Sequence, residues 1–257
     1  MKDPVTLAYI NMYGILGALE DLCRFSPEAK ELVSPQALPG KKPLGIGFTV
    51  KNGPAMILRF SEGACAAQTG EGPCDIRLPF GSCEKFNGLI DGTVTPIPSK
   101  GFTKIGFLTK NFVRLTAILE TYLRASPEAL ADKVFFEAST TIMFFLISRA
   151  VTQIGNHDKI GSFTASSIPD GTVLLSIAGG PQAAISIADH RLSFSRTIPE
   201  SYHAIMEFSG MELARQLFDG KVSALGCVGQ GLITMRGNLG MLDNINRILD
   251  RVAVYLA

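Results

Sequence analysis

The chain has 257 residues, 46% of them hydrophobic and 18% charged. That is too much apolar material for global disorder and enough length for one large core or two ordinary ones. Lys and Arg number 24 against 23 Asp and Glu, so the charge balance carries no electrostatic footprint of a nucleic-acid backbone or an anionic bilayer. Five widely spaced cysteines, Cys23, Cys65, Cys74, Cys83 and Cys227, suit thiols in a reducing cytoplasm better than a disulfide framework. In the opening MKDPVTLAYI, Asp3 and Pro4 follow a single Lys2, and no signal peptide is read there. Leu7, Ile10, Ile15, Leu19 and Leu22 then recur at helical spacing, and Ser26-Pro27-Glu28 starts a second, short helix. Leu44, Ile46, Phe48 and Val50 alternate with small or polar residues, Asn52-Gly53-Pro54 makes a turn, and residues 55–60 supply a second strand. Ile76, Leu78 and Phe80 alternate again, residues 86–90 form a helical patch, and Asp91-Gly92 stops it. Residues 101–108 are expected as a strand, and Leu115, Ile118, Leu119 and Tyr122 mark a closing helix.

The second half repeats this order. Ser126-Pro127-Glu128 is expected to open a helix running to about Gly155, and its most apolar part, Thr140–Ile147, is far shorter than the ~20 residues that span a bilayer. Gly53-Pro54 and Gly180-Pro181 lie 127 residues apart, the Asp91-Gly92 and Asp219-Gly220 stops 128 apart, and the Leu115/Ile118/Leu119 and Ile245/Ile248/Leu249 faces 130 apart. Three ordered landmarks at nearly constant spacing imply a duplicated α+β unit, with expected domains 1–125 and 126–257.

Little in the chain points to catalysis. No phosphate-binding glycine loop occurs, and Cys65, Cys74 and Cys83 stand nine residues apart, unlike the close cysteine pairs of structural zinc sites. His157, His190 and His203 all lie in the second half. A Cys227–His203 dyad is conceivable but has no local support, and Glu207 alternates outward on a strand. No metal, no cofactor and no catalytic residue is expected. The chain does carry 8 Met and 16 Phe without a single Trp, flexible apolar bulk that can wall an adaptable cavity.

The segment from Tyr202 through Met206-Glu207-Phe208 to Lys221-Val222, with Gly229-Gln-Gly-Leu-Ile-Thr-Met-Arg-Gly-Asn238 and the helix after it, resembles the sterol carrier protein-2 family. The stretch from Asp75 through Phe86-Asn-Gly-Leu-Ile-Asp-Gly-Thr-Val94 to Leu123 resembles it more weakly. The resemblance implies two tandem α+β units related by a pseudo-twofold, each a roughly five-stranded sheet with helices on one face. Beneath the helices it implies an apolar tunnel for a fatty acyl, sterol-like or other lipid ligand. The walls expected from it are Met206, Phe208, Met235, Leu242, Ile245 and Leu249 in the second unit, with Phe102, Ile105, Phe112, Leu115 and Leu119 in the first. The expected protein is cytoplasmic, carries an apolar small molecule, and has no nucleic-acid partner and no transmembrane segment. A regulatory or protein-interaction pseudo-dimer with closed tunnels is the alternative.

Overall fold

The computed structural model describes residues 2–256. The chain divides into two compact α+β units, one of residues 3–138 and one of residues 139–256 together with Lys2. In the first, Asp3 accepts a hydrogen bond from the Thr6 N–H at 2.8 Å, and Pro4 stands in the first turn of α1 (Pro4–Tyr9), the usual chemistry of a helix start. The helix continues through a π turn (Ile10–Ile15) and a 3-10 turn (Leu16–Ala18) into α2 (Leu19–Phe25), and Ser26 caps α3 (Pro27–Leu32). Four strands follow: β1 (Leu44–Val50), β2 (Ala55–Ser61), β3 (Ala64–Thr69) and β4 (Ile76–Phe80). Their order is β3-β2-β1-β4, with β1 and β4 parallel and the other pairs antiparallel. Alternation places Leu44, Ile46 and Phe48 opposite Phe60, Leu58 and Met56 on one face, all buried. After α4 (Cys83–Ile90), the chain reaches a 3-10 turn (Phe102–Lys104), a π turn (Phe107–Phe112) and α5 (Val113–Leu123). The π turn sets Phe112 with its ring centroid 5.9 Å from Phe48, and Phe107 at 5.8 Å from Phe60.

The second unit contains most of α6 (Lys133–His157), then α7 (Lys159–Ala165), β5 (Gly171–Ile177), β6 (Gln182–Ala188), β7 (Arg191–Ser195), β8 (Ala204–Phe208), α8 (Met211–Phe218), α9 (Ala224–Gly229), β9 (Ile233–Gly237) and α10 (Leu239–Leu256). The strand order is β7-β6-β5-β8-β9, with β5 and β8 parallel. The division between the units falls inside α6, because the first turn of that helix packs on the unit before it, Phe135 lying 4.5 Å from Tyr122. Ser126-Pro127-Glu128 opens only a 3-10 turn (Ala129–Ala131), and the long helix starts later, where Asp132 accepts from the Phe135 N–H at 2.7 Å. α6 is long and apolar enough to cross a membrane by length and composition, but 61% of that apolar stretch is buried inside the protein.

The first sheet has four strands, not five, and residues 101–108 are helical rather than extended. Pro96 and Pro98 lie in the segment that would pair with β4. Lacking N–H groups, they cannot extend a ladder. Only the Arg77–Lys100 bridge forms, where the second unit builds all of β9. Both versions end on a glycine with positive φ, 89° at Gly101 and 93° at Gly237. A Cβ there would come within 2.5 Å of the Asp75 carbonyl oxygen or 2.3 Å of that of His203.

A buried clasp joins α7 to α10. Asp158 accepts from the Ile160 and Gly161 N–H groups at 3.0 and 2.8 Å, from Arg251 at 2.7 and 2.8 Å, and from the Tyr255 hydroxyl at 2.6 Å. Burial pushes its carboxyl up, but the hydrogen bonds from Arg251, Tyr255 and Gly161 outweigh this and hold it below the ordinary carboxylate value.

Gly101→Ala and Gly237→Ala are each expected to lose about 1–3 kcal/mol of stability in urea unfolding, since the new methyl meets backbone that cannot swing away and the conformation itself disfavours Ala. Asp158→Ala is expected to lose about 3–5 kcal/mol, because it strands Arg251. A carboxyl with a depressed folded pKa stabilises above its unfolded value of about 3.9, and the contribution fades as pH falls through the folded value. The gap between wild type and Asp158→Ala in urea midpoints should therefore be full at neutral pH and narrow in acid below about pH 4.

Candidate functional site

The expected wall residues of the second unit are brought together on one face of its sheet. In β8, Ala204, Met206 and Phe208 project to the same side, and parallel pairing with β5 aligns them with Val173, Leu175 and Ile177. Met235 of β9 stands directly opposite Met206. α10 covers this face, burying Met241, Leu242, Ile245, Ile248, Val252 and Tyr255 at three- and four-residue spacing, while Leu249 and Met235 are half-buried. Asn238 caps the helix by accepting from the Met241 N–H at 3.1 Å, and the Asp158 clasp fastens its other end.

In the first unit the expected residues separate. Phe112, Leu115 and Leu119 are buried, Phe112 between Phe48 and Phe60. Phe102 is 61% exposed and Ile105 36% exposed, because the turn that was expected as a strand points them outward.

The concavity this unit does hold opens on the opposite sheet face. It is a shallow dent lined by Gly47, Ile57, Glu71, Gly72, Cys74 and Arg77, with about 0 Å³ of space that even a water molecule could occupy. Ligand pockets for drug-sized molecules run from roughly 300 Å³ upward, so this cleft is too small for a long acyl chain. The loop at its rim is clamped by its own neighbours: Arg59 donates to the Pro73 carbonyl at 3.0 Å, Arg77 to that of Gly72 at 3.2 Å and Lys100 to that of Cys74 at 2.6 Å, while Lys104 pairs with Asp75. Burial raises the Asp75 carboxyl, and the contacts with Lys104 and the Gly45 N–H overcome it and hold the group low.

The reactive side chains stay apart from one another. His203 Nδ1 accepts from the Thr172 N–H at 3.2 Å, next to the start of β8, whereas Cys227 lies beyond the far end, its carbonyl accepting from Leu232 beside the Ile233–Phe208 pair. Five residues of strand separate those ends by roughly 16 Å, which rules out a Cys227–His203 hydrogen bond. Glu207 pairs with Arg236 at 3.4 Å across the β8–β9 ladder. Asp189 and His190 form the β6–β7 turn at φ 49° and 61°. All five cysteines are buried. Burial pushes the Cys23 thiol up to about 12 and raises that of Cys83, so these two are protonated, weak nucleophiles near neutral pH. Among the described residues, no group of three or more His, Cys, Asp or Glu is placed to hold a metal ion.

Two buried polar bridges escaped the sequence reading. Asn11 donates to Asn87 at 3.0 Å in the first unit, and Arg215 donates to Ser139 at 2.7 Å in the second. Each ties an opening helix to the short helix after the fourth strand, and each spans 76 residues. The shared spacing is visible in the sequence only when the halves are aligned, because the partner types differ.

No protein-family profile matches the chain, and no curated protein matches it. Among solved structures it is similar to the sterol carrier protein domain 2 of Helicoverpa armigera, at 15% identity over 44% of this chain and 89% of that one, with a TM-score of 0.35. It is similar also to sterol carrier protein 2 from Yarrowia lipolytica in its apo form, at 14% identity over 41% of this chain and 92% of that one, with a TM-score of 0.29. A third similarity, to the inverting sec-alkylsulfatase Pisa1 from a Pseudomonas species, has 10% identity and a TM-score of 0.24 and covers 55% of this chain and 28% of that enzyme.

Proposed function

We propose that the protein is a duplicated, non-catalytic carrier of a small apolar or amphipathic ligand, such as a fatty acyl or sterol-like molecule, working without a cofactor in the reducing cytoplasm. The observation that carries this reading is the seam beneath α10, where Met206, Phe208, Met235, Leu242 and Ile245 meet between one sheet face and one helix. Methionine side chains bend and repack at small cost, which suits a wall that must admit guests of more than one shape. Duplication is supported by the recurring strand order, the parallel pair at the same place, and the two bridges of equal span.

A ligand enters such a seam by displacing packed side chains. Burying an acyl chain of about fourteen methylenes gains on the order of 11 kcal/mol, and ordering and association costs reduce that to roughly micromolar affinity. α10 is the element expected to yield, pivoting on its clasped C-terminal end while its first turns lift from β8 and β9.

Titration with an anthroyloxy-labelled fatty acid should give saturable binding near micromolar strength. Met235→Lys, which puts a charge at a half-buried wall position, should weaken it by roughly tenfold or more. If the folded wild type binds neither this probe nor a fluorescent sterol above background, the carrier reading falls, and the closed-tunnel interaction pseudo-dimer takes its place. Replacing all five cysteines by Ser or Ala should leave binding intact in a variant whose circular dichroism matches wild type. Loss of binding in that folded variant would contradict the non-catalytic, thiol-independent reading.

A further inference from the structure

The two units close their sheets with different material. In the first sheet, Phe48 pairs with Met56 and Leu78, and Phe60 stands opposite Leu44. At the same register positions of the second sheet, Leu175 pairs with Ala183 and Met206, and Ile187 stands opposite Gly171. Rings in one unit answer to smaller aliphatic side chains in the other. The closing segments differ in the same sense. Gly101 stands fourteen residues before Leu115, whereas Gly237 stands only eight before Ile245, and the six residues of the π turn Phe107–Phe112 match the excess. That turn carries two buried rings, Phe107 at 5.8 Å from Phe60, and Phe112 at 5.9 Å from Phe48 and 6.4 Å from Phe60. The only aromatic residue of α10 is Tyr255, which the Asp158 clasp holds.

We propose that the first unit is filled by its own chain: Phe107 and Phe112 take the place that the apolar part of a ligand takes in the second unit, so the protein carries one ligand, beneath α10. The assignment rests on the carrier reading of that seam and adds to it which unit binds and how many molecules. Fastening of the two closing segments agrees with it. Asn111 donates to the Leu32 carbonyl at 3.0 Å and Arg114 pairs with Glu28 at 2.7 Å, so side chains on both sides of Phe112 hold the turn to α3. In α10, by contrast, the side-chain bonds before Arg251 stay within the helix, Asn244 to the Gly240 carbonyl and Arg247 to Asp243, both at 2.9 Å. Its first turns therefore rest on the sheet through apolar contact, and they can lift. The wall chemistry points the same way. Packed phenyl rings are stiff and cannot thin themselves to admit a guest, whereas the unbranched side chains of Met206 and Met235 bend and repack at small cost.

The test is native mass spectrometry of the full chain saturated with oleic acid, which counts bound molecules as added masses. Wild type should hold one oleic acid, and Met235→Lys should lose it, its affinity falling roughly tenfold or more. Phe107→Leu with Phe112→Leu, which keeps the turn apolar but removes both rings, should admit a second molecule. The same pair of changes in the Met235→Lys background should restore a count of one, now in the first unit. Phe107→Ala with Phe112→Ala should do this more fully where its circular dichroism matches wild type. Two molecules on wild type, or one that survives Met235→Lys, would overturn the assignment and leave carriage standing. No molecule on folded wild type would overturn both. A folded ring-free variant that still holds only one would also overturn it, since the rings would then not be what fills the first unit. The wild-type and Met235→Lys counts decide where the ligand sits even if a ring-free variant fails to fold.

Discussion

The closing helix of each unit reaches its sheet because the chain before it passes hard against the fourth strand, at Gly101 and Gly237. Both glycines adopt a backbone conformation that side-chain-bearing residues rarely adopt, and both occupy space into which no Cβ fits. The constraint is the same in each unit although the strand leading to it is not. β9 is a full strand ending on Gly237, while the prolines before Gly101 leave a single bridge to β4. The tight passage is what the architecture keeps, and the length of the fifth strand is what it can spare.

The buried polar bridges follow the same logic. A helix packed over a sheet can slide unless something fixes its register, and a hydrogen bond in an apolar setting does so because breaking it strands a polar group. Asn11–Asn87 is neutral, with Asn87 also donating to the Pro4 carbonyl at 2.9 Å. Arg215 instead brings a charge into the interior, balanced by Asp219 at 3.0 Å, which in turn meets Lys221. Burial raises the Asp219 carboxyl, but its hydrogen bonds with Arg215 and Lys221 prevail and hold it low. The Asp-Gly stop that marks the end of each short helix thus acquires, in the second unit alone, the further task of neutralising the residue that sets the register.

Alternation and turn chemistry made four of the nine strands legible: β1 and β4 alternate, β2 is a β-rich run after the observed Asn52-Gly53 turn, and Glu207 marks the outward side of β8. Residues 101–108 were misread because a run such as Phe-Thr-Lys-Ile-Gly-Phe-Leu satisfies a strand period and a helix period equally over so short a window. The deciding information, two prolines upstream and a glycine with no room for a side chain, is tertiary. The start of α6 was placed too early for a related reason: Ser126-Pro127-Glu128 has a proper capping sequence, and Asp132 has a competing one closer to the apolar run. Of the expected wall, the buried members followed from helical and strand periodicity, whereas Phe102 and Ile105 inherited the error in the element that holds them.

Net charge hides how the charges are distributed along this chain. A sum over 257 residues averages a surface that a partner meets only a few residues at a time, and beyond a screening length of about 8 Å at physiological salt the remaining charges contribute little. Residues 92–119 hold four cations and no acid, yet Lys100 and Lys104 share the carboxylate of Asp75, and Glu120 follows directly in α5. The acidic partners come from outside the segment, Asp75 from the loop before β4 and Glu28 from α3. Pairing of that kind holds the segment against its own unit. These pairs join residues far apart in the sequence, so a composition shows none of them.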